Sequence, residues 1–201
     1  MAWVAAALAA ALAGCARTPL TESRAPEERF ADAYVELLPV AALMGQSAER
    51  DPQWPLGDKA RLVSDAQLAC MRQALAPVEV RAAQRNVARA YAQTHADTLA
   101  SDLEVLEGGA ARLIGQAMRE GAGLTAEGTH VPATAEQTSA LAAFAREPRY
   151  AQLREATGLT RLAGGPSAPA RERGKDIASA LTVKFLTDAF LRCHIPVKLL
   201  Y

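Results

Sequence analysis

The sequence predicts an all-α fold, an irregular bundle of about six to eight helices after a cleaved signal peptide. Half of the 201 residues are hydrophobic, but only 5% are aromatic. Alanine dominates, and leucine and arginine follow. These residues favour helices, whereas strands prefer β-branched and aromatic residues. Apolar residues also recur at spacings of three and four. Residues 26–201 are long enough for a single helical domain with its own core.

The chain begins with an apolar run, residues 1–14, which has no charged side chain and ends in the sequence Leu12-Ala13-Gly14 before Cys15. The run has the composition of a secretory signal peptide and is shorter than the roughly 20 apolar residues that span a bilayer. Leu12–Cys15 resembles the lipobox of bacterial lipoproteins, although Met1-Ala2-Trp3 lacks the usual Lys or Arg. The alternative interpretation is an Ala-rich first helix of a cytoplasmic protein in which Cys15 is incidental.

The lipobox resemblance implies that residues 1–14 are removed and that Cys15 is the lipid attachment site. Residues 15–25 would then form a lipidated tether, because they are polar and show no apolar period. Ala16 is not the Asp associated with inner-membrane retention, so the resemblance implies the bacterial outer membrane, with the domain facing the periplasm. The membrane would be contacted through acyl chains, since two or more chains anchor stably where one is marginal.

The charge composition excludes one class of partner. Lys plus Arg and Asp plus Glu number 22 each, and no polybasic patch is present. Binding to nucleic acid depends on an excess of basic residues. We therefore expect no nucleic-acid partner.

Two cysteines remain once Cys15 is assigned to lipid attachment, namely Cys70 and Cys193. An oxidising compartment permits a disulfide between them. Such a bridge would close most of the domain and would contribute roughly 4 to 5 kcal/mol in the chain-entropy model. The alternative is two separate buried thiols.

The first helix of the domain is predicted to begin at Pro26, because proline is favoured in the first turn and two glutamates follow it. Pro39 is expected to kink or shorten this helix. Residues 45–57 are predicted to form a loop, in which Trp54 either packs onto the core or contacts a partner. The apolar face of the helix is Phe30, Tyr34, Leu37, Leu38 and Ala41.

Helices are also predicted between residues 64 and 107. Ser64 to Gln67 form a capping box, and Pro77 begins the next helix. A helical period then continues to Gly108-Gly109, which we expect to end it. The three apolar stripes are Leu68, Met71 and Leu75; then Val80, Val87, Tyr91 and Thr94; then Leu99, Leu103 and Leu106.

The next helix is predicted to end at Gly121 and Gly123. These glycines favour a plain turn over an anion site, because no Lys, Ser or Thr completes a phosphate loop. Thr134 to Gln137 form a second capping box, Pro148 breaks that helix, and Gly158 is a C-cap for another. Their apolar residues are Ala110, Leu113, Ile114, Ala117 and Met118; then Leu141 and Phe144; then Tyr150, Leu153 and Ala156.

The order of Thr, Glu, Leu, Phe and Pro over residues 134–158 is similar to the end of an uncharacterised family of small periplasmic helical domains. In that family such a helix pair closes a bundle. The chain differs at Glu147 and Arg149, where the family has a small residue and a glycine. The resemblance implies a helical bundle and no particular activity.

Residues 163–174 are rich in Gly, Pro, Ser and Arg and are predicted to be a mobile loop. The basic cluster of Arg171, Arg173 and Lys175 is better explained as solvated loop than as a lipid-headgroup site. The last helix carries the widest apolar arc and is expected to be central to the bundle. The apolar tail, residues 197–201, is expected to pack back on the core. The arc consists of Val183, Phe185, Leu186, Ala189, Phe190 and Cys193.

The sequence shows no arrangement of residues typical of an enzyme or a metalloprotein. It contains no nucleophile elbow, no nucleotide-binding loop and no Cys-x-x-Cys. His95, Asp97 and Asp102 lack the one-face spacing of metal ligands and are interpreted as a solvated helix end. We therefore expect no catalytic, cofactor-binding or metal-binding residues. The remaining histidines and the carboxylate pairs interpreted as solvated charge are His130, His194, Glu27-Glu28 and Glu104-Glu107.

These observations predict a lipid-anchored, periplasm-facing helical protein that acts by binding or scaffolding, with an envelope protein as partner. One alternative is a carrier that holds a lipid or another small hydrophobic ligand between its helices. Another is an envelope hydrolase, because catalytic groups are assembled by the fold and need not be neighbours in sequence.

Overall fold

A computed structural model describes residues 24–124, 132–160 and 170–200. Within these ranges all regular secondary structure is helical, as predicted. The described ranges contain nine α-helices: α1 (Pro26–Leu37), α2 (Val40–Arg50), α3 (Asp65–Ala74), α4 (Pro77–Thr94), α5 (Leu99–Val105), α6 (Ala111–Gly121), α7 (Ala135–Arg146), α8 (Ala151–Ala156) and α9 (Ala170–Arg192). Shorter elements are the 3₁₀ turns Gly57–Leu62, Pro148–Tyr150 and Val197–Leu200 and the π-helical turn Leu106–Ala110.

Helix α1 organises the described core, because it packs against α4, α5 and α6. Its predicted apolar face is buried, including Phe30, Tyr34 and Leu37. Phe30 stacks on Tyr91 of α4 with ring centroids 5.2 Å apart. Burial of such a face supplies most of the stability of a helix in a protein.

Pro39 separates α1 from α2. It has no N–H group, so it cannot continue the α1 hydrogen-bond ladder. The carbonyl of Leu38 accepts hydrogen bonds from the Val40 amide and from Nε2 of Gln84, each at 2.7 Å. Helix α2 then runs through Gly45 to Arg50, so the prediction of a loop from residue 45 is wrong by about two turns.

Both capping boxes are present as predicted. The hydroxyls of Ser64 and Thr134 accept from the amides of Gln67 and Gln137, and each glutamine side chain accepts from the amide of its N-cap residue. Each box satisfies two helix-terminal amides that lack an intrahelical partner.

The helix was predicted to end at Gly108-Gly109. Instead, the helical chain continues through these residues and bends there. Gly109 has φ of 126°, which side-chain-bearing residues rarely adopt, and the π-helical turn around it joins α5 to α6. Helix α8 does end as predicted, with Gly158 at φ of 72°. The amides of Gly158 and Leu159 donate to the carbonyls of Glu155 and Arg154, which closes the helix end.

Four positions on the predicted apolar faces are exposed, namely Val87, Thr94, Ala156 and Val183. Val87 is 49% exposed because the buried face of α4 runs through Val80, Gln84, Ala88 and Tyr91 instead. Val183 is 48% exposed because it lines an open cleft beside α2. Trp54 is partly buried against the core, which is the packing role that its sequence context favoured.

Helix α9 begins at Ala170, so the prediction of a loop is wrong for residues 170–174, which are helical. Residues 163–169 of the predicted loop lie outside the described residues, and so do the side chains of the basic cluster. Helix α9 packs against α6 and also contacts α2 and α3. After α9 the chain turns back, Ile195 is buried, and the Leu199 carbonyl accepts from Nζ of Lys59 at 2.8 Å.

Cys70 of α3 and Cys193, which follows α9, form a disulfide with an S–S distance of 2.02 Å. The bond joins residues 123 positions apart. It therefore fastens the first half of the chain to its last helix. Among the helices whose placement is described, none is long and apolar enough to cross a bilayer.

Candidate functional site

The most distinctive surface feature is a polar cleft of about 370 Å³ between α1, the π-helical turn and the starts of α6 and α7. Its volume lies within the range of ligand-binding pockets, roughly 300 to 1,000 Å³. Three arginines and three acidic residues line it, together with an amide. These side chains are Arg24, Arg29, Arg112, Asp32, Glu36, Glu107 and Gln137.

Gly109 allows the cleft to form. A Cβ atom at residue 109 would lie 2.5 Å from Cγ of Gln137, so only glycine permits α7 to approach the turn this closely. Gln137 serves two purposes, because its Oε1 accepts from the Thr134 amide of the capping box and from Nη2 of Arg112. π-helical turns of this kind are frequent at functional sites.

Arg112 is the cleft arginine that has no acidic partner among the residues described. Nη2 of Arg112 donates to a neutral amide, that of Gln137. The Nε atom of Arg112 is buried and has no hydrogen-bond partner in the part of the chain that is described. A buried donor without a partner costs about 1 to 3 kcal/mol.

The other two arginines are paired. Arg29 donates through Nε to Oε1 of Glu107 at 2.9 Å and through Nη2 to Oε2, and these bonds raise the pKa of Arg29. Arg24 donates to Oδ2 of Asp32 at 2.7 Å. The Arg29–Glu107 pair has the two-pronged geometry in which a guanidinium binds a carboxylate.

An ion-pair network continues from the cleft along the α1–α4 contact. Arg85 bonds both Asp32 and Glu28, and Arg89 donates to Glu28 at 2.7 Å. The bond from Arg89, followed by that from Arg85, lowers the pKa of Glu28. Of the glutamates interpreted as solvated charge, Glu28 and Glu107 also form ion pairs, and Glu107 is exposed as expected.

The residues interpreted as a solvated helix end include a buried polar cluster. Asp102 is only 1% exposed and accepts from the Tyr91 hydroxyl at 3.0 Å and from the Thr98 hydroxyl at 3.2 Å. Burial raises the pKa of Asp102. The His95 ring stacks on Tyr91 with centroids 4.1 Å apart. The solvated interpretation is thus wrong for Asp102 and holds for the exposed Asp97.

The remaining candidates from the sequence are scattered. Cys15 and His130 lie outside the described residues, and His194 is exposed after α9. The Gly121–Gly123 turn is held by α2, because the Gly123 carbonyl accepts from Gln46 and Arg50 at 3.3 Å each. In the ranges that the structure covers, no cluster of three His, Cys, Asp or Glu could hold a metal ion.

A second cleft of about 480 Å³ lies between α2, the end of α6 and α9. It mixes apolar residues, such as Leu43 and Val183, with polar ones, such as Gln46 and Arg50. Neither cleft is lined by His95 or Asp102.

Comparison of the chain with protein-family models, with curated proteins and with solved structures found no match. Its function must therefore follow from its own residues.

Proposed function

We propose that the protein is a lipid-anchored domain, facing the periplasm from the outer membrane, that acts by binding a ligand or an envelope protein through the polar cleft. The observation that carries the binding role is Arg112, a cation in a cleft without an acidic partner among the described residues. The lipobox-like Leu12–Cys15 supports the anchor. The disulfide supports the compartment, because disulfides persist in oxidising environments.

The cleft lies close to the proposed anchor along the chain. Arg24, which lines it, lies at the end of the proposed tether of residues 15–25, and Arg29 follows four residues after that tether. Covalent geometry limits a chain of that length to about 40 Å. A ligand in the cleft would therefore be held near the membrane surface.

The anchor is tested by metabolic labelling with a fatty-acid analogue. We expect the unaltered chain to take up the label and Cys15→Ala to take up none. Cys70→Ala is the matched control, because it also removes one cysteine and should keep the label. An unlabelled parent chain recovered from the soluble fraction would overturn the anchor, and density-gradient separation of the two membranes tests the outer-membrane assignment.

The binding role is tested by placing a photo-crosslinking residue at position 36, in the cleft, and at position 81, an exposed site on α4, in growing cells. We expect a defined crosslinked product from position 36 alone. Equal products from both positions would contradict a role for the cleft.

The carrier alternative has one supporting feature, the second cleft with its apolar residues Leu43 and Val183. Mass spectrometry of the protein extracted under mild conditions separates the two proposals, because a stoichiometric lipid would favour a carrier. The hydrolase alternative has less support: the buried Asp102 is bonded to Tyr91 and Thr98, and neither cleft reaches it.

A further inference from the structure

We propose that the polar cleft is a binding site for the carboxylate of an amino acid or peptide, with Arg112 as the anchoring cation. This inference rests on the proposed binding function and specifies its ligand. It draws on the hydrogen bonds of Arg112, the charge balance of the cleft and the position of Glu36.

Arg112 provides the attraction for an anion. A guanidinium has five N–H donors, and within the described ranges Arg112 uses one of them, in its bond to Gln137. None of the described carboxylates pairs with Arg112, although Arg24 and Arg29 in the same cleft each have one. A partly buried cation gains from a ligand that supplies the missing negative charge.

The charge balance favours a carboxylate over a phosphate. The three arginines are offset by Asp32, Glu36 and Glu107, so the cleft has no net charge before a ligand binds. A dianion would be repelled by three carboxylates, whereas a single planar carboxylate matches the free edge of one guanidinium. The Arg29–Glu107 pair provides an example of that geometry within the same cleft.

Glu36 supplies a site for the opposite charge. It is exposed, lines the cleft from α1, and pairs with no described cation. A ligand that carries both a carboxylate and an ammonium group can therefore face Arg112 and Glu36 and leave the cleft neutral. Amino acids and peptides have both groups, and the cleft volume of about 370 Å³ suits a small ligand of this kind.

The test is ligand-observed NMR with the purified full chain at one ionic strength. The probes are trialanine, trialanine C-terminal amide, N-acetyl-trialanine, alanine and inorganic phosphate. We expect trialanine to bind about tenfold or more tightly than its C-terminal amide, because the amide removes the charge that Arg112 recognises. N-acetylation, which removes the ammonium group beside an exposed glutamate, should weaken binding only about two- to fivefold.

Two comparisons separate the sources of the carboxylate. Alanine binding as tightly as trialanine would indicate a free amino acid, and tighter binding of trialanine would indicate a peptide terminus; both results support the site. Absence of trialanine binding, equal binding of trialanine and its amide, or equal binding of phosphate would overturn it.

Arg112→Gln should weaken trialanine binding about tenfold or more. The matched control is Arg81→Gln, which makes the same change at an exposed arginine outside the cleft and should leave binding unchanged. If Arg112→Gln does not fold, the comparison of trialanine with its amide on the unaltered chain still tests whether the site recognises a carboxylate. These assays do not depend on membrane attachment, so failure of the site and failure of the anchor are distinguishable.

Discussion

Gly115 of α6 lies against the backbone of α1, so close that a Cβ atom at residue 115 would be 2.1 Å from the carbonyl oxygen of Glu36. No side chain can move aside to relieve such a contact, because the opposing atom belongs to the backbone. The close approach of α1 and α6 therefore requires glycine at this position. It also fixes the part of α1 from which Glu36 reaches the polar cleft.

Gly115→Ala should therefore destabilise the protein. Overpacking typically costs about 1 to 3 kcal/mol, and the gain in helix propensity recovers at most about 1 kcal/mol, so we expect a net loss of about 2 kcal/mol. Urea unfolding measures it. Gly45→Ala is the control, because its Cβ would meet only the ring atom Cγ of Pro77 at 3.1 Å. A Gly115→Ala protein as stable as the parent would show that the helices separate freely.

The disulfide should make a large contribution to stability. The double variant Cys70→Ala, Cys193→Ala should lose about 5 kcal/mol of unfolding free energy in the chain-entropy model, since the bond joins residues 123 positions apart. Urea unfolding with and without reductant provides the measurement. Only the parent chain should respond to reductant, and a parent indifferent to it would argue against the bond.

Asp102 should make the protein less stable as the pH rises. Burial raises its pKa above the ordinary value of 3.8. The folded state therefore binds this proton more tightly than the unfolded state does at pH values between 3.8 and the raised pKa. The unfolding free energy of the parent should therefore fall, relative to that of Asp102→Asn, as the pH increases from 3.8 through the raised pKa. An unchanged difference between parent and Asp102→Asn across that range would contradict the prediction.

Glu28 should have the opposite effect. Its hydrogen bonds with Arg89 and Arg85 lower its pKa below 4.5, so its contribution is present above that value and is lost as the pH falls through the lowered pKa. The parent should lose more stability on acidification than Glu28→Gln does, and added salt should reduce the difference. Glu27→Gln removes the neighbouring charge outside this network and serves as the control. A steeper acid response of Glu28→Gln than of the parent would refute the assignment.

Local signals in the sequence predicted the helices well. Some features depend only on contacts within a few residues and can therefore be predicted from the sequence. They are the capping boxes at Ser64 and Thr134 and the helix starts at Pro26 and Pro77. The prediction of a loop from Gly45 is wrong because a single glycine is tolerated inside a helix whose residues Leu43 and Met44 are buried.

The polar cleft was not predictable in the same way. Arg29 and Glu107 are 78 residues apart, and Arg112 and Gln137 are 25 apart, so their meeting depends on how α1, α6 and α7 pack. Gly108-Gly109 did signal an irregularity. No local sequence signal, however, indicated that Gly109 would adopt a positive φ within a π-helical turn. Nor did one indicate that Gln137 would pack against it.

The Cys70–Cys193 bond also sets an order of events during synthesis. At translation rates of about 5 to 20 residues per second, Cys193 is made roughly 6 to 25 s after Cys70. Throughout that interval the earlier thiol is without its native partner and is open to exchange with other thiols. Helix α1 and its packing partners α4 and α6 all precede Cys193 in the chain, so the bond can form only after these three helices have been made.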